Sequence, residues 1–422
     1  MDLMHVDRLA YLTDTPGIGG QIKRRPEDFL VDEIPAYEPC GEGEHLYLVV
    51  EKRRRLTTDV VRLLSGHLGV PWKAIGYAGL KDKHAITRQS FSVHGGDEAR
   101  LATFSDDHIK VLGVSRHTNK IKRGHLRGNR FAIKIREVDP SAVVRVKPLL
   151  EAIEREGVAN YLGEQRFGYR RNNHVLGKLL LEGKQQEFLD ELLGRPTPDE
   201  AELPQQARAA YERGDYKAAI EIWPKVHRFE RQAVGPLSRG APPGDAINGI
   251  DDPQLSLLVS SFQSAIFNWL LDRRIREGRF STLLEGDVAM KHATRGLFTV
   301  REVGVEQPRY EAKEISPTGP MWGPKMKRAS GEVDQWERDA LAATGVSLDQ
   351  IAASKYAPDG SRRTCRMLVD EPEVSGGVDE HGPYVRVAFT LSRGCFATTV
   401  LREIMKTGDS DDPASEDAAD DA

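Results

Sequence analysis

The feature that most constrains this chain is the run Ile75–Gln89, IGYAGLKDKHAITRQ. It opens on a short apolar stretch that ends at two small residues, crosses a charged turn, and re-enters an alternating run, QSFSV. That pattern predicts two strands joined by a loop. One carboxylate, Asp82, stands at a strand end between Lys81 and Lys83, with His84 close by. Loops at strand ends suit functional side chains, because a rigid scaffold holds them while ligand can still reach them. An ordinary solvated turn has the same composition, so the rest of the chain must decide.

At 422 residues there is room for two or three domains, each with a core of its own. Charged residues make up 29% and apolar ones 39%, the balance of a soluble globular protein. No apolar run approaches the roughly 18 residues of a membrane span, and the opening MDLMHVDRLAYLT has neither the basic start nor the apolar core of a signal peptide. Cys40, Cys365 and Cys395 are far apart and in no CxxC spacing, which argues against a disulfide framework or zinc site and fits a reducing cytoplasm. The net charge of −4 is set by the end of the chain, where DSDDPASEDAADDA carries seven acids and no base; without those seven the remainder is +3. Such a tail is expected to be a disordered, solubilising end, one that could also compete with RNA for basic surface.

Taken in order, QIKRRPEDFLVDEI (21–34) predicts a strand with a basic entry, interrupted at Pro26, and EHLYLVVEKRRR a second strand ending in basic residues. A helix is expected from Thr57 to about Gly66, capped by Thr57, Thr58 or Asp59, and a short one near 97–104. Lys110 to Arg136 holds nine Lys or Arg and no Asp or Glu, and ends in the alternating run FAIKIRE. Charge this one-sided suits an anion such as a phosphate backbone, or else a solvated basic strand. A helix near 142–156 leads to Asn160–Gly168, NYLGEQRFG, whose aromatics and arginine can stack bases and grip phosphates or build a structural turn.

Short amphipathic helices follow from about 174 to 235, then a long helix from Asp252 to Glu277, capped near Asp251 or Asp252 and stopped at Gly278. Its apolar positions predict core, and its polar positions, Ser260, Ser261, Gln263, Asn268, Arg273 and Arg274, are open to an RNA-facing role. Strand-like pieces cover 283–330, another helix 332–343, and the Gly-, Pro- and charge-rich stretch 353–383 reads as a boundary. Tyr384–Leu391 predicts a strand, Ser392–Gly394 a turn, and Phe396–Lys406 a helix. There is no internal repeat.

No GxGxxG after a strand, GxxxxGK[ST] or HExxH appears. A basic, aromatic-dotted chain with one well-placed carboxylate suits cofactor-free work on a base in RNA, which must be extruded from its stack and held against an aromatic. Cations on either side of Asp82 favour its charged form, the form a nucleophile or base uses.

Five segments then carry a resemblance: PEDFLVDE (26–33), YAGLKDKHAITRQ (77–89), RGNRF (127–131), NYLGEQRFG (160–168) and SRGCFATTVLREIMK (392–406). Together, in this order, they resemble the TruD family of tRNA pseudouridine synthases over nearly the whole chain before the tail. The resemblance implies isomerisation of a tRNA uridine, at position 13 in the D arm, with no metal or redox cofactor. Asp82 takes the place of the nucleophile. Phe29, Asn129 and Phe131 match positions that contact substrate, and Phe396 matches the aromatic stacking near the target base. Lys23 is a candidate active-site cation, Lys81, beside the nucleophile, is a candidate RNA contact, and Arg166 is a candidate phosphate or sugar contact.

The implied fold is α+β: a discontinuous pseudouridine-synthase-type catalytic domain (1–158 and 371–407) with a mixed, mainly antiparallel sheet and flanking helices. It is interrupted by an inserted α/β TRUD domain (159–370), with RNA in the basic cleft between them, and followed by the acidic tail (408–422). The expected partner is tRNA, without membrane or obligatory protein partner, for a cytoplasmic monomer. Leu162 replaces a usual Phe, and Ser392-Arg393 replaces a Pro-containing turn. A non-catalytic RNA-binding or RNA-folding module is the alternative, which retention of Asp82 between two lysines disfavours. A metal-dependent nuclease would need clustered carboxylates for Mg²⁺, and loss of activity in EDTA would reveal one.

Overall fold

The alternating runs that predict strands pair into one sheet. In the computed structural model, which describes residues 9–407, they form β1 (Phe29–Pro35), β2 (His45–Arg53), β3 (Ile75–Tyr77), β4 (Ile86–His94), β5 (Ile109–His117) and β6 (Leu126–Arg136). Two late strands, β7 (Val369–Asp379) and β8 (Gly382–Ser392), join them, so both ends of the chain build the same sheet. The eight strands run β7-β8-β6-β1-β4-β2-β5, with β3 hydrogen-bonded to β4. Only the β1–β4 pairing among them is parallel. The sheet is thus mixed and mainly antiparallel, as expected. The acidic tail lies outside the described residues.

The helices of this unit are α1 (Thr57–Leu68), α2 (Glu98–Leu101), α3 (Val143–Glu156) and α4 (Ala397–Met405). The strand period fixes what they cover. Val31, Thr87, Phe131 and Phe389 are register partners across neighbouring strands, so they share a face. On the β2–β4–β5 half of that face, α1 buries Val60, Val61, Leu64 and Leu68 against Leu46, Leu48, Val50, Phe91 and Val93. On the β6–β8 half, α3 and α4 bury Leu149, Leu150, Ile153, Val400, Leu401 and Ile404 against Phe131, Ile133, Val387 and Phe389. Between these two cores the same face carries polar groups: Glu33, Thr87, Gln89 and Asn129.

The described chain divides into two compact units: 12–158 with 367–407, which holds this sheet, and 9–11 with 159–366. The second unit is mostly helical, with a four-stranded antiparallel sheet of Ser361–Thr364, Ile315–Met321, Val288–Lys291 and Leu297–Thr299. Its long helix, Asp252–Arg276, is buried nearly all round, since Ser261, Gln263, Ser264, Asn268 and Arg274 are buried beside Phe262, Ile266 and Phe267. Ser261, Gln263, Asn268 and Arg274 therefore serve the interior, while Ser260 and Arg273 are half-buried. Asn268 exchanges two hydrogen bonds with the backbone of Leu162, both 2.8 Å, and Arg274 pairs with Asp287 at 2.8 Å.

The stretch 353–383 contains a division between the two units, after Arg366, and is largely strand, because β7 is an edge strand whose backbone bonds to β8 are indifferent to its polar composition. The helix α1 begins at Thr57 as expected, but its N-cap is Leu56, whose N–H donates to Asp59 Oδ2 at 3.1 Å, while the Thr57 hydroxyl is used elsewhere.

Candidate active site

The PEDF segment sets the floor. Pro26 opens a single 3₁₀ turn, Pro26–Asp28, where its missing N–H costs nothing. Asp28 is fully buried and accepts from Arg136 Nε at 3.0 Å, and Arg136 also donates to Asp379 at 2.6 Å. Those hydrogen bonds, Asp28's first, raise the guanidinium pKa above its ordinary value. With the turn fixed from below, Phe29 enters β1 with 2% exposure, its ring edge-on to Phe131 at 6.3 Å between centroids. Just upstream, Lys23 adopts the left-handed conformation, φ +56°, which is uncommon for a residue with a side chain. Its ammonium lies 5.0 Å over the Phe29 ring and 3.6 Å from Asp82 Oδ1. The Lys23 side chain is 7% exposed and that of Asp82 48%, so a buried ammonium stands behind a carboxylate open to solvent.

The loop between β3 and β4 is held from beneath. Lys52, fully buried at the end of β2, donates to three carbonyls: Arg55 at 2.7 Å, Asp82 at 2.8 Å and Lys81 at 3.2 Å. The Thr57 hydroxyl accepts the Lys81 N–H at 3.0 Å and donates to Gln89 Oε1 at 2.9 Å. Gln89 in turn donates to the Gly79 carbonyl at 3.1 Å. Lys81 itself does not face solvent: its side chain is 5% exposed and paired with buried Glu33 at 2.7 Å. Expected among the RNA contacts, Lys81 is placed instead beneath the loop, where alternation along the turn sends Asp82 outward and its neighbour inward.

Asn129 stands opposite Glu33 on β6, and its Oδ1 is buried with no hydrogen-bond partner. An amide oxygen in that state has a bond left to make. Phe131, two residues on, is 6% exposed and packs between Phe29 and Phe389. Phe396 is different, 61% exposed at the N-cap of α4. The Ser392-Arg393 turn before it is anchored: Arg393 donates its N–H to the Arg127 carbonyl at 3.0 Å and Nη1 to the Gly124 carbonyl at 2.7 Å.

Arg166 belongs to the other unit. It is half-buried in the 3₁₀ turn Glu164–Phe167 and donates to the hydroxyls of Ser260 and Ser264 on the long helix. Burial lowers its pKa. The basic stretch 110–136 also divides. Arg130 pairs with Glu373 at 2.7 Å, Lys134 with Asp379 at 2.7 Å, and Arg136 with Asp28, all on the sheet face turned away from Phe131. Their charge is met within the protein. Lys122, Arg123 and Arg127, in or beside the loop before β6, remain exposed.

Sequence reading passed over Glu33, Lys52, Thr57 and Gln89 as site-building residues. Glu33 and Gln89 end quoted motifs, and a charged or amide residue on the inward phase of a strand is the signal that could have found them. Among the described residues no group of three or more His, Cys, Asp or Glu is placed to hold a metal ion, and no helix is long and apolar enough to cross a membrane.

A mixed sheet built from both ends of the chain, with an insertion between them and a solvent-open aspartate on a strand-connecting loop, is the architecture of a pseudouridine-synthase-type protein. The crystal structure described as tRNA pseudouridine synthase D from Methanosarcina mazei matches it with a TM-score of 0.84 at 30% identity, covering 95% of this chain and 97% of that one. The family model for tRNA pseudouridine synthase D (TruD) matches residues 5–404, and the chain belongs to that family. A relative named tRNA pseudouridine synthase D in Geobacter sulfurreducens is 39% identical over 94% of this chain and 96% of its own length. Another of that name, in an Anaeromyxobacter species, is 37% identical over 96% and 97%.

Proposed function

We propose that this enzyme isomerises a uridine of tRNA to pseudouridine, that the target is position 13 in the D arm, and that Asp82 is the nucleophile. Membership of the family supports the reaction. The observation that carries the residue assignment is the Asp82 carboxylate, open to solvent and backed at 3.6 Å by buried Lys23. The carboxylate attacks the target nucleotide as the bond between C1′ and N1 breaks, its electron pair leaving with the uracil. The uracil turns, C5 bonds to C1′ as the bond between the carboxylate and the nucleotide breaks and its electron pair returns to Asp82, the proton on C5 is lost to a base, and N1 takes up a proton. Atoms and charge balance within one substrate, so no redox partner is consumed. An ammonium near the carboxylate holds charge where it must form and re-form, in a partly desolvated setting.

Phe29 and Phe131 give the extruded base an apolar floor, Asn129 Oδ1 offers it an acceptor, and the exposed Phe396 ring offers a face for stacking. The unit 12–158 and 367–407 is the catalytic domain in this reading, and 159–366 the TRUD insertion, where Arg166 contacts phosphate. The test is a tRNA pair differing only at position 13. The enzyme should form pseudouridine in the transcript with uridine there and none in the one with cytidine. Equal product from both would assign the reaction to another site.

A further inference from the structure

We propose that the segment Lys52–Thr57 is the positioning device of the catalytic loop, acting through the Lys52 ammonium and the Thr57 hydroxyl. The inference rests on the reading of Asp82 as nucleophile and extends it to two residues that touch no substrate. Lys52 is fully buried and its ammonium donates to the carbonyls of Lys81 and Asp82, on the loop, and of Arg55, on the turn that follows β2. One cation thus joins two chain segments, and the carbonyl it holds most closely on the loop is that of Asp82. Thr57 supplies the complement, accepting the Lys81 N–H and donating its O–H to Gln89 Oε1, while the Gln89 amide donates to the Gly79 carbonyl. The peptide groups on both sides of the Lys81 α-carbon, and the one after Asp82, are therefore held by side chains and not by strand pairing.

Chemistry explains why such a device is needed. Asp82 lies between β3 and β4, beyond the last register pair of either strand, and its side chain is open to solvent. The loop's backbone bond from Gly124 N–H to the Ala78 carbonyl, at 2.7 Å, lies four residues before Asp82 and does not fix the carboxylate. Reaction requires that carboxylate within a few tenths of an ångström of its line of attack, and a misplacement of about 1 Å can cost about 100-fold in rate. A buried ammonium with three acceptors in fixed directions meets that need, because its own position is set by burial on every side.

The test compares wild type with Lys52→Met and Thr57→Val in single-turnover pseudouridine formation, at enzyme in excess over tRNA, beside tRNA affinity by filter binding. Both replacements are neutral and close in shape to what they replace. Lys52→Met should lower the single-turnover rate about 100-fold and Thr57→Val about 10-fold, with affinity within about 3-fold of wild type in each. Hydrogen exchange in the loop 78–85 should quicken in both variants and stay at the wild-type rate in Asp82→Ala. A rate within 3-fold of wild type in both variants overturns the proposal, as does a fall in rate matched by an equal fall in affinity. If Lys52→Met does not fold, Thr57→Val decides by the same two readouts. An Asp82→Ala enzyme with full activity would overturn the nucleophile assignment; an inactive one beside fully active Lys52→Met and Thr57→Val would overturn only the positioning role.

Discussion

Lys81 and Glu33 form an ion pair of 2.7 Å with both side chains at most 5% exposed, directly beneath the loop that presents Asp82 to solvent. Adjacent residues of one charged turn thus have opposite fates, one structural and one open to chemistry. Removing one partner of a buried pair leaves the other charge unmet, at a cost of about 3–5 kcal/mol. Glu33→Gln and Lys81→Met should each lower unfolding stability by that order in denaturant titrations. The double variant Glu33→Leu with Lys81→Met should lose clearly less than the sum of the singles.

Asn129 gives the reverse separation. Its Oδ1 has no partner within the protein, so deleting it breaks no internal bond. Asn129→Ala should change stability by less than about 1 kcal/mol and lower single-turnover pseudouridine formation by about 10-fold or more. Thermal melts and single-turnover rates on one preparation measure both.

Two aromatics should part in the same way. Phe131 is 6% exposed and lies in the core, whereas Phe396 is 61% exposed. Phe131→Ala should cost about 3–5 kcal/mol. Phe396→Ala should leave the melting temperature near wild type while weakening binding or conversion of tRNA, since a stacked base is worth about 1–3 kcal/mol.

The cations of 110–136 should divide by their partners. Arg130 and Lys134 are paired with carboxylates within the unit, so replacing either by Ala should leave the salt dependence of tRNA binding as it is. Replacing exposed Lys122 or Arg127 by Ala should reduce the slope of log affinity against log salt by about 1 each, the loss of one phosphate contact. Affinity measured across a salt series distinguishes the two sets.

Much of this was legible in the sequence because period-2 alternation survives wherever one sheet face is buried. QSFSV and FAIKIR fall within β4 and β6, and the Asp82 loop falls between two strands as its composition predicts. What was not legible depends on partners distant in sequence. The basic stretch looks like one anionic-ligand surface until β7 brings Glu373 and Asp379 alongside β6, some 240 residues away. Thr57 looks like a helix cap because capping is local, yet its hydroxyl bridges Lys81 and Gln89. The polar positions of the Asp252–Arg276 helix look solvent-facing because nothing near them in sequence announces that NYLGEQRFG will lie along them, with Asn268 on Leu162 and Ser261 on the Arg166 carbonyl at 2.8 Å. Polar residues committed to long-range hydrogen bonds carry no periodic signature.

The measurement that bears most directly on the account is tritium release from tRNA labelled at uracil C5, comparing wild type with Asp82→Ala and with Asp82→Asn. Loss of the C5 proton is obligatory for the isomerisation and independent of where the modified nucleotide lies. The account predicts release by wild type and none above background by either variant, with tRNA affinity retained in both. Release by Asp82→Ala at the wild-type rate would contradict it, since the group placed at the centre of the chemistry would then be dispensable.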